Sequence, residues 1–240
     1  MRACLALAIS SMFATSCVFG MAEQTLRTQK ESFPAAAIST VRLETGAGSL
    51  TVTGQEGVTA IDVTAAFKAN VSSENDAKRI LDNLKLTMEV RGNTFYLKTE
   101  QRNDWHWGDS GRIDITIVLP SRLPLDIDDG SGAISVKGMG GDIAIDDGSG
   151  EIEIDGVQGN LTIQDGSGGI RIRNAARDLE IEDGSGGIDI RHVGGNVRIE
   201  DGSGSMNVED VDGNLVVPRG GSGSIHYSDV RGRIDIPRRR

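Results

Sequence analysis

The stretch Asp147-Gly148-Ser149-Gly150-Glu151-Ile152-Glu153-Ile154-Asp155-Gly156-Val157-Gln158-Gly159-Asn160-Leu161-Thr162-Ile163-Gln164 decides the fold. Its pattern restarts at Asp165, and Asp-Gly-Ser-Gly stands at 129–132, 147–150, 165–168, 183–186 and 201–204, always 18 residues apart. A degenerate copy, Gly220-Gly221-Ser222-Gly223, follows one residue late. Apolar pairs at i and i+2 recur at half that period, from Ile134/Val136 and Ile143/Ile145 to Ile225/Tyr227 and Ile234/Ile236. Self-similarity at a fixed short period is the mark of a solenoid.

Each unit reads as strand, corner, strand, corner. The alternation Ile-x-Ile sets two branched side chains on one face of a short strand and charged ones on the other. One corner is Asp-Gly-Ser-Gly; the other is apolar-x-Gly-Asn, as in Val157-Gln158-Gly159-Asn160 and Val211-Asp212-Gly213-Asn214. A helix is excluded because its apolar period would be 3.6. One coil alone cannot bury its isoleucines, whereas coils stacked at about 4.8 Å close a dry interior. The expected fold is therefore all-β, a parallel β-solenoid of 18-residue coils with two short strands per coil. Six coils would make a rod roughly 29 Å long.

Stacking in register places residue i over i+18, which predicts the outward columns. One runs Ser135, Glu153, Arg171, Asp189, Asn207; another runs Lys137, Asp155, Arg173, Arg191, Glu209. Glu180 is expected over Arg198 on the second face. Most neighbours are opposite in charge, each pair worth about 0.2–1 kcal/mol. Arg173 over Arg191 is the exception.

The whole chain has 240 residues, 32 of them Gly, and a formal net charge of -10. Residues 126–217 carry 20 acidic and 6 basic side chains, a net of -14, so the remainder is +4. Nucleic acid is not an expected partner, because phosphate contacts need a basic surface. No transmembrane span is expected in the mature chain.

Residues 1–22 read as a signal peptide: Arg2, then an apolar run from Cys4 to Phe19. Cleavage after Ala22 suits Gly20-Met21-Ala22, while Ala14-Thr15-Ser16-Cys17 is a second processing site that would make Cys17 a lipidated first residue. Both cysteines lie in this segment, so the mature chain is expected to hold no disulfide.

Residues 23–40 read as a polar leader and 237–240 as a basic tail. Residues 41–124 read as a strand-rich capping part and 125–236 as the regular repeats. In the capping part, Glu44 to Val52 is a degenerate repeat unit, and strands are predicted at 60–67, 85–91, 94–99 and 112–119. Ser73-Glu74-Asn75-Asp76 is a near capping box ahead of Ala77, Ile80, Leu81 and Leu84, which predicts one short amphipathic helix near 74–84 covering the solenoid's open end.

This organisation resembles the bacterial DUF4097 family of adhesin-like β-strand-repeat proteins over about residues 40–236. The likeness rests on Gly46–Val52, the helix-bearing insertion, Pro120-Ser121-Arg122-Leu123-Pro124-Leu125 and the serial Gly-x-Ile-x-Ile and Gly-Asn-Leu-x-Ile units. It implies an exported or envelope-attached β-solenoid and supplies no catalytic residue.

Chemistry in the repeats reads as structural. Asp129, Asp147, Asp165, Asp183 and Asp201 would stack as a like-charge column, each accepting from its own turn amides. Calcium β-rolls use a different spacing, Gly-Gly-x-Gly-x-Asp-x-apolar. The corner serines repeat identically without a histidine each, so they lack the base a nucleophile needs. His106, His192 and His226 differ in repeat phase. No metal and no cofactor is expected. The irregular loop Arg102 to Asp109 holds both tryptophans, so Trp105, His106 and Trp107 are the candidate partner-binding residues, suited to glycans or cell-surface components.

The functional expectation is an exported, non-catalytic, adhesin-like or envelope-associated binding protein in the periplasm, at the cell surface or outside the cell. The alternatives are a periplasmic envelope-stress or scaffold protein and, third, a polysaccharide-active β-helix enzyme, for which corners of about four residues leave little room to build a cleft.

Overall fold

The computed structural model describes residues 23–71, 73–101 and 111–236. The front of the chain forms β1 (Glu23–Pro34), β2 (Thr40–Ala47), β3 (Leu50–Gln55), β4 (Ala60–Asn70), α1 (Glu74–Asn83), β5 (Leu84–Arg91), β6 (Thr94–Gln101) and β7 (Gly111–Pro120). The repeats then alternate between two sheets. One takes β8 (Leu125–Ser131), β10 (Ile143–Asp147), β12 (Leu161–Asp165), β14 (Leu179–Asp183), β16 (Val197–Asp201), β18 (Leu215–Gly220) and β20 (Ile234–Asp235). The other takes β9 (Ile134–Lys137), β11 (Gly150–Val157), β13 (Gly168–Ala175), β15 (Gly186–Val193), β17 (Met206–Val211) and β19 (Ile225–Val230).

Sheet A has the order β1-β4-β7-β3-β9-β11-β13-β15-β17-β19, and sheet B the order β20-β18-β16-β14-β12-β10-β8-β2-β6-β5. Within the repeats every pairing is parallel, with Ile152 beside Ile170 beside Ile188, and Ile145 beside Ile163 beside Ile181 beside Ile199. The 18-residue register is the one the repeat predicts. The late copy of the corner appears as a register shift between β16 and β18, where Glu200 faces Arg219 and Asp201 faces Gly220.

The inward Ile, Leu and Val side chains are buried along both sheets. At about 25 cal/mol per Å² of apolar surface, this interior is the main source of stability. The degenerate unit is the first coil, for β2 pairs with β8 and β3 with β9, both parallel, with Leu50 beside Ile134.

Beyond that coil the chain changes to antiparallel pairing. β4 runs against β7, β1 against β4, and β5 against β6. Helix α1 joins β4 of one sheet to β5 of the other. Ser73 caps it by accepting from the Asp76 N–H at 3.2 Å, as the near capping box predicts. Ile80 is buried, with Ala77 and Leu81 packed on the core beside it.

One stretch differs from expectation. Residues 23–34, within the segment read as a leader, form the longest strand, β1, antiparallel to β4. Leu26 and Phe33 pack on the core, Phe33 with its ring centroid 5.0 Å from that of Phe95. Arg27 sets its guanidinium 3.7 Å over the Phe67 ring, beside a register shift between Thr25 and Arg27. An edge strand half covered by one neighbour needs no clean apolar alternation, which is why the pattern was not visible.

At the other end nothing covers the last coil among the described residues. Tyr227 of β19 and Ile234 of β20 are exposed, though they occupy core positions of the repeat.

Candidate functional site

The corner Asp-Gly-Ser-Gly builds the most unusual chemistry in the molecule. Strands β10, β12, β14 and β16 of sheet B each end in an inward aspartate, β8 carries one near its end, and register stacks them as Asp129, Asp147, Asp165, Asp183 and Asp201. All five are buried, with at most 6 % of their surface exposed. Above them the column ends in Thr45, whose hydroxyl donates to Asp129 Oδ1; below, it ends at Gly220.

The expected turn geometry is present. Asp147 Oδ1 accepts from the Ser149 N–H at 3.2 Å, Asp165 Oδ1 from Ser167 at 3.2 Å, and Asp183 Oδ1 from Ser185 at 3.0 Å. The corner amides continue the ladder, with Gly166 N–H donating to the Asp147 carbonyl and Gly184 N–H to that of Asp165. Glycine is required where these corners meet. Gly168 has φ +149°, and a Cβ there would fall 1.6 Å from the Gly150 carbonyl oxygen.

The second carboxylate oxygens are the anomaly. Oδ2 of Asp129, Asp147, Asp165 and Asp183 and both oxygens of Asp201 are buried without a hydrogen-bond partner. Burial, reinforced by the flanking Asp129 and Asp165, pushes the Asp147 carboxyl up to about 7. Burial, with Asp165 and Asp201 adding to it, pushes Asp183 up to about 6. Burial also raises Asp129, Asp165 and Asp201. Among the described residues no three His, Cys, Asp or Glu side chains are arranged to hold a metal ion.

Outside this column runs an open groove of about 550 Å³ along the edge of sheet B. Its outer wall is the row Asp146, Gln164, Glu182 and Glu200, with Arg219 at one end. Asp128 extends the row by one coil. Glu200 is paired with Arg198 and Arg219, which hold its carboxyl below the usual range together. Asp128, Asp146 and Glu182 have no ion pair among the described residues. Sheet A is different, since its outward columns interleave both signs.

The predicted columns there are all in register, but the ion pairs are partly diagonal. Arg191 reaches Glu209, and on sheet B Arg198 reaches Glu180, both as expected. Arg171, however, pairs with Glu151 at 2.7 Å rather than with Glu153, and Arg173 turns to Glu153 while Asp155 accepts from Asn174. Side chains lean along the strand, so the diagonal carboxylate is as reachable as the one directly opposite.

The opposite corner carries a second column with left-handed backbone. Gly138, Gly156, Asn174, His192, Asp210 and Asp229 follow one another down the stack, all at φ between 55° and 72°. Glycine, Asn and Asp tolerate this region best. His192 Nδ1 lies 2.8 Å from Asp210 Oδ2 one coil below. His226 sits on β19, away from it. The sequence-predicted binding residues Trp105, His106 and Trp107, the lipidation candidate Cys17, the signal segment and the basic tail all lie outside the described residues.

Comparison with known proteins gives one family and several structures. The family model "Toastrack DUF4097" matches residues 49–236. A "putative adhesin" from Bacteroides fragilis shares 16 % identity, covering 87 % of this chain and 96 % of that one, at a TM-score of 0.45. A "putative cell adhesion protein" from Clostridium sporogenes shares 15 % over 87 % and 97 %, at 0.38. A "putative lipid binding protein" from Parabacteroides distasonis shares 12 % over 87 % and 96 %, at 0.26. No curated protein matches the chain. The family match spans well over half of the sequence and runs from β3 through the antiparallel strands and every repeat. The chain belongs to the Toastrack DUF4097 family.

Proposed function

We propose that the chain is an exported, non-catalytic binding protein of adhesin-like or envelope-associated type, and that it meets a cationic partner along the groove of sheet B. One observation carries this reading. Asp128, Asp146, Gln164 and Glu182 stand in one row, its three acids make no ion pair among the described residues, and the cations acting on it are Arg42 near Asp128 and Arg219 near Glu182, whereas sheet A interleaves both signs. A groove lined by one sign of charge focuses its field outward and favours ligands of the opposite sign. The rigid stack also supports display rather than catalysis, since its corners are too tight to build an enclosed cleft.

The test compares charge-matched variants. Asp146→Asn with Glu182→Gln on sheet B, and Glu153→Gln with Asp189→Asn on sheet A, change net charge equally. Binding to immobilised polylysine should weaken, and lose salt sensitivity, only with the sheet B pair. Equal loss from both faces would reduce the effect to net charge and refute the groove.

The tryptophan loop supports a second contact, to glycans or cell-surface components, by sequence alone. Trp105→Ala with Trp107→Ala should abolish cell or glycan binding while leaving the melting curve unchanged. Protease shaving of intact cells separates surface display from a periplasmic stress or scaffold role. The mass of the mature chain distinguishes cleavage after Ala22 from lipidation at Cys17.

A further inference from the structure

The molecule contains its own comparison for the stacked aspartates. At the other corner, acidic and amide residues also stack one coil apart, as Asp142, Asn160, Asp178, Asn196 and Asn214, and there three of the four gaps are bridged by an amide hydrogen. Asn160 Nδ2 donates to Asp142 Oδ1 at 3.3 Å, Asn196 Nδ2 to Asp178 Oδ1 at 3.0 Å, and Asn214 Nδ2 to Asn196 Oδ1 at 2.9 Å. The column Asp129–Asp147–Asp165–Asp183–Asp201 has the same spacing and no such donor. Its residues are register neighbours, and their second oxygens are buried without a hydrogen-bond partner.

A row of ionised carboxylates about 4.8 Å apart and out of water would be very costly, and buried groups in that position neutralise instead. The surroundings offer no other remedy. The same strands carry Asp128, Asp146, Glu182 and Glu200 on their outer side, all of the same sign. Arg219 is already bound to Glu200 at 2.8 Å. The ends of the column are the Thr45 hydroxyl and Gly220. Across the interior, β11, β13 and β15 contribute apolar side chains such as Ile152, Ile170 and Ile188. Only a proton remains to fill the place that the asparagine amide fills elsewhere.

We infer that the five inward aspartates share protons down the column, one carboxyl O–H donating to the next carboxylate, so that the coils are clasped at this corner by hydrogen ions taken from solvent. Asp147, Asp165, Asp183 and Asp201 also line the groove proposed for a cationic partner, so the test is run without any polycation present. The folded chain holds these protons more tightly than the unfolded chain, in which the carboxyls have ordinary acidity. Stability from this source is therefore full in mild acid and declines as pH rises from the ordinary carboxylate range through the raised values, about 6 at Asp183 and about 7 at Asp147.

The experiment uses the full chain in a His192→Gln, His226→Gln background, because the surface pair His192–Asp210 also joins two coils. Melting temperature is followed from about pH 5 to about pH 8, with and without calcium. The expected result is a fall of several degrees toward pH 8, unaffected by calcium, and a protonated-carboxyl infrared band near neutral pH that carbon-13 aspartate labelling shifts. Asp165→Asn, which supplies a permanent donor, should raise the alkaline melting temperature and flatten the pH slope. A melting temperature that is level or rises toward pH 8 would overturn the inference, as would absence of the infrared band. Calcium restoring alkaline stability would assign the column to a metal and overturn it too.

Discussion

Arg173 and Arg191 lie side by side in register on β13 and β15, yet each turns to a different carboxylate. Arg173 reaches back to Glu153 at 3.6 Å, and Arg191 reaches Asp189 at 3.3 Å and Glu209 at 3.6 Å. The like-charge contact that the column would force is thus relieved by long side chains leaning to opposite sides. These pairs are well exposed, so Arg173→Ala should change the free energy of unfolding by less than about 1 kcal/mol. Urea titration checks this; a larger loss would mean the column charges hold the coils together.

The corner glycines should separate sharply by position. A Cβ at Gly168 meets the carbonyl oxygen of Gly150 at 1.6 Å, while one at the adjacent Gly169 meets nothing within 4 Å. Gly168→Ala must shift the backbone of two coils and should cost about 3 kcal/mol or more, whereas Gly169→Ala should stay within about 0.5 kcal/mol of wild type. Denaturant midpoints of the two variants, one residue apart, give the comparison.

Burial along the axis predicts a gradient. Ile172 is wholly buried in mid-stack, and Ile234 on the final coil is 40 % exposed. Ile172→Ala should cost about 2–5 kcal/mol, while Ile234→Ala should cost about 1 kcal/mol or less. Matching losses would show that the last coil is covered in solution.

In the strand-rich N-terminal region, Ser73→Ala should destabilise α1 by about 1 kcal/mol, and Ser73→Asp should restore it. Amide exchange over residues 74–83 is the suitable measurement, because the loss should be confined to the helix.

Much of this architecture can be read without coordinates because each rung repeats the same physics. Ile152/Ile154 and Leu161/Ile163 declare two strand faces, and the spacing of Asp147 and Asp165 sets the register. Ser73 and the Ala77-Ile80-Leu81-Leu84 stripe place the only helix among the described residues. What escapes notice depends on partners far away in sequence. β1 takes its order from β4, and Arg171 chooses Glu151 over Glu153 by side-chain lean. The aspartate column is visible as a repeat, and so is its turn role through Oδ1. The isolation of Oδ2 is not, because only the closed interior excludes water from it.

The uniform stacking of the middle coils makes length a free variable. Since the units from Asp129 to Asp201 lie one on the next at an offset of 18, deleting or duplicating one of them would alter the shaft by a single step of about 4.8 Å and leave the flanking coils as they are. Genetic slippage in such a gene would thus adjust how far the molecule reaches, in fixed increments, without a new fold having to be invented.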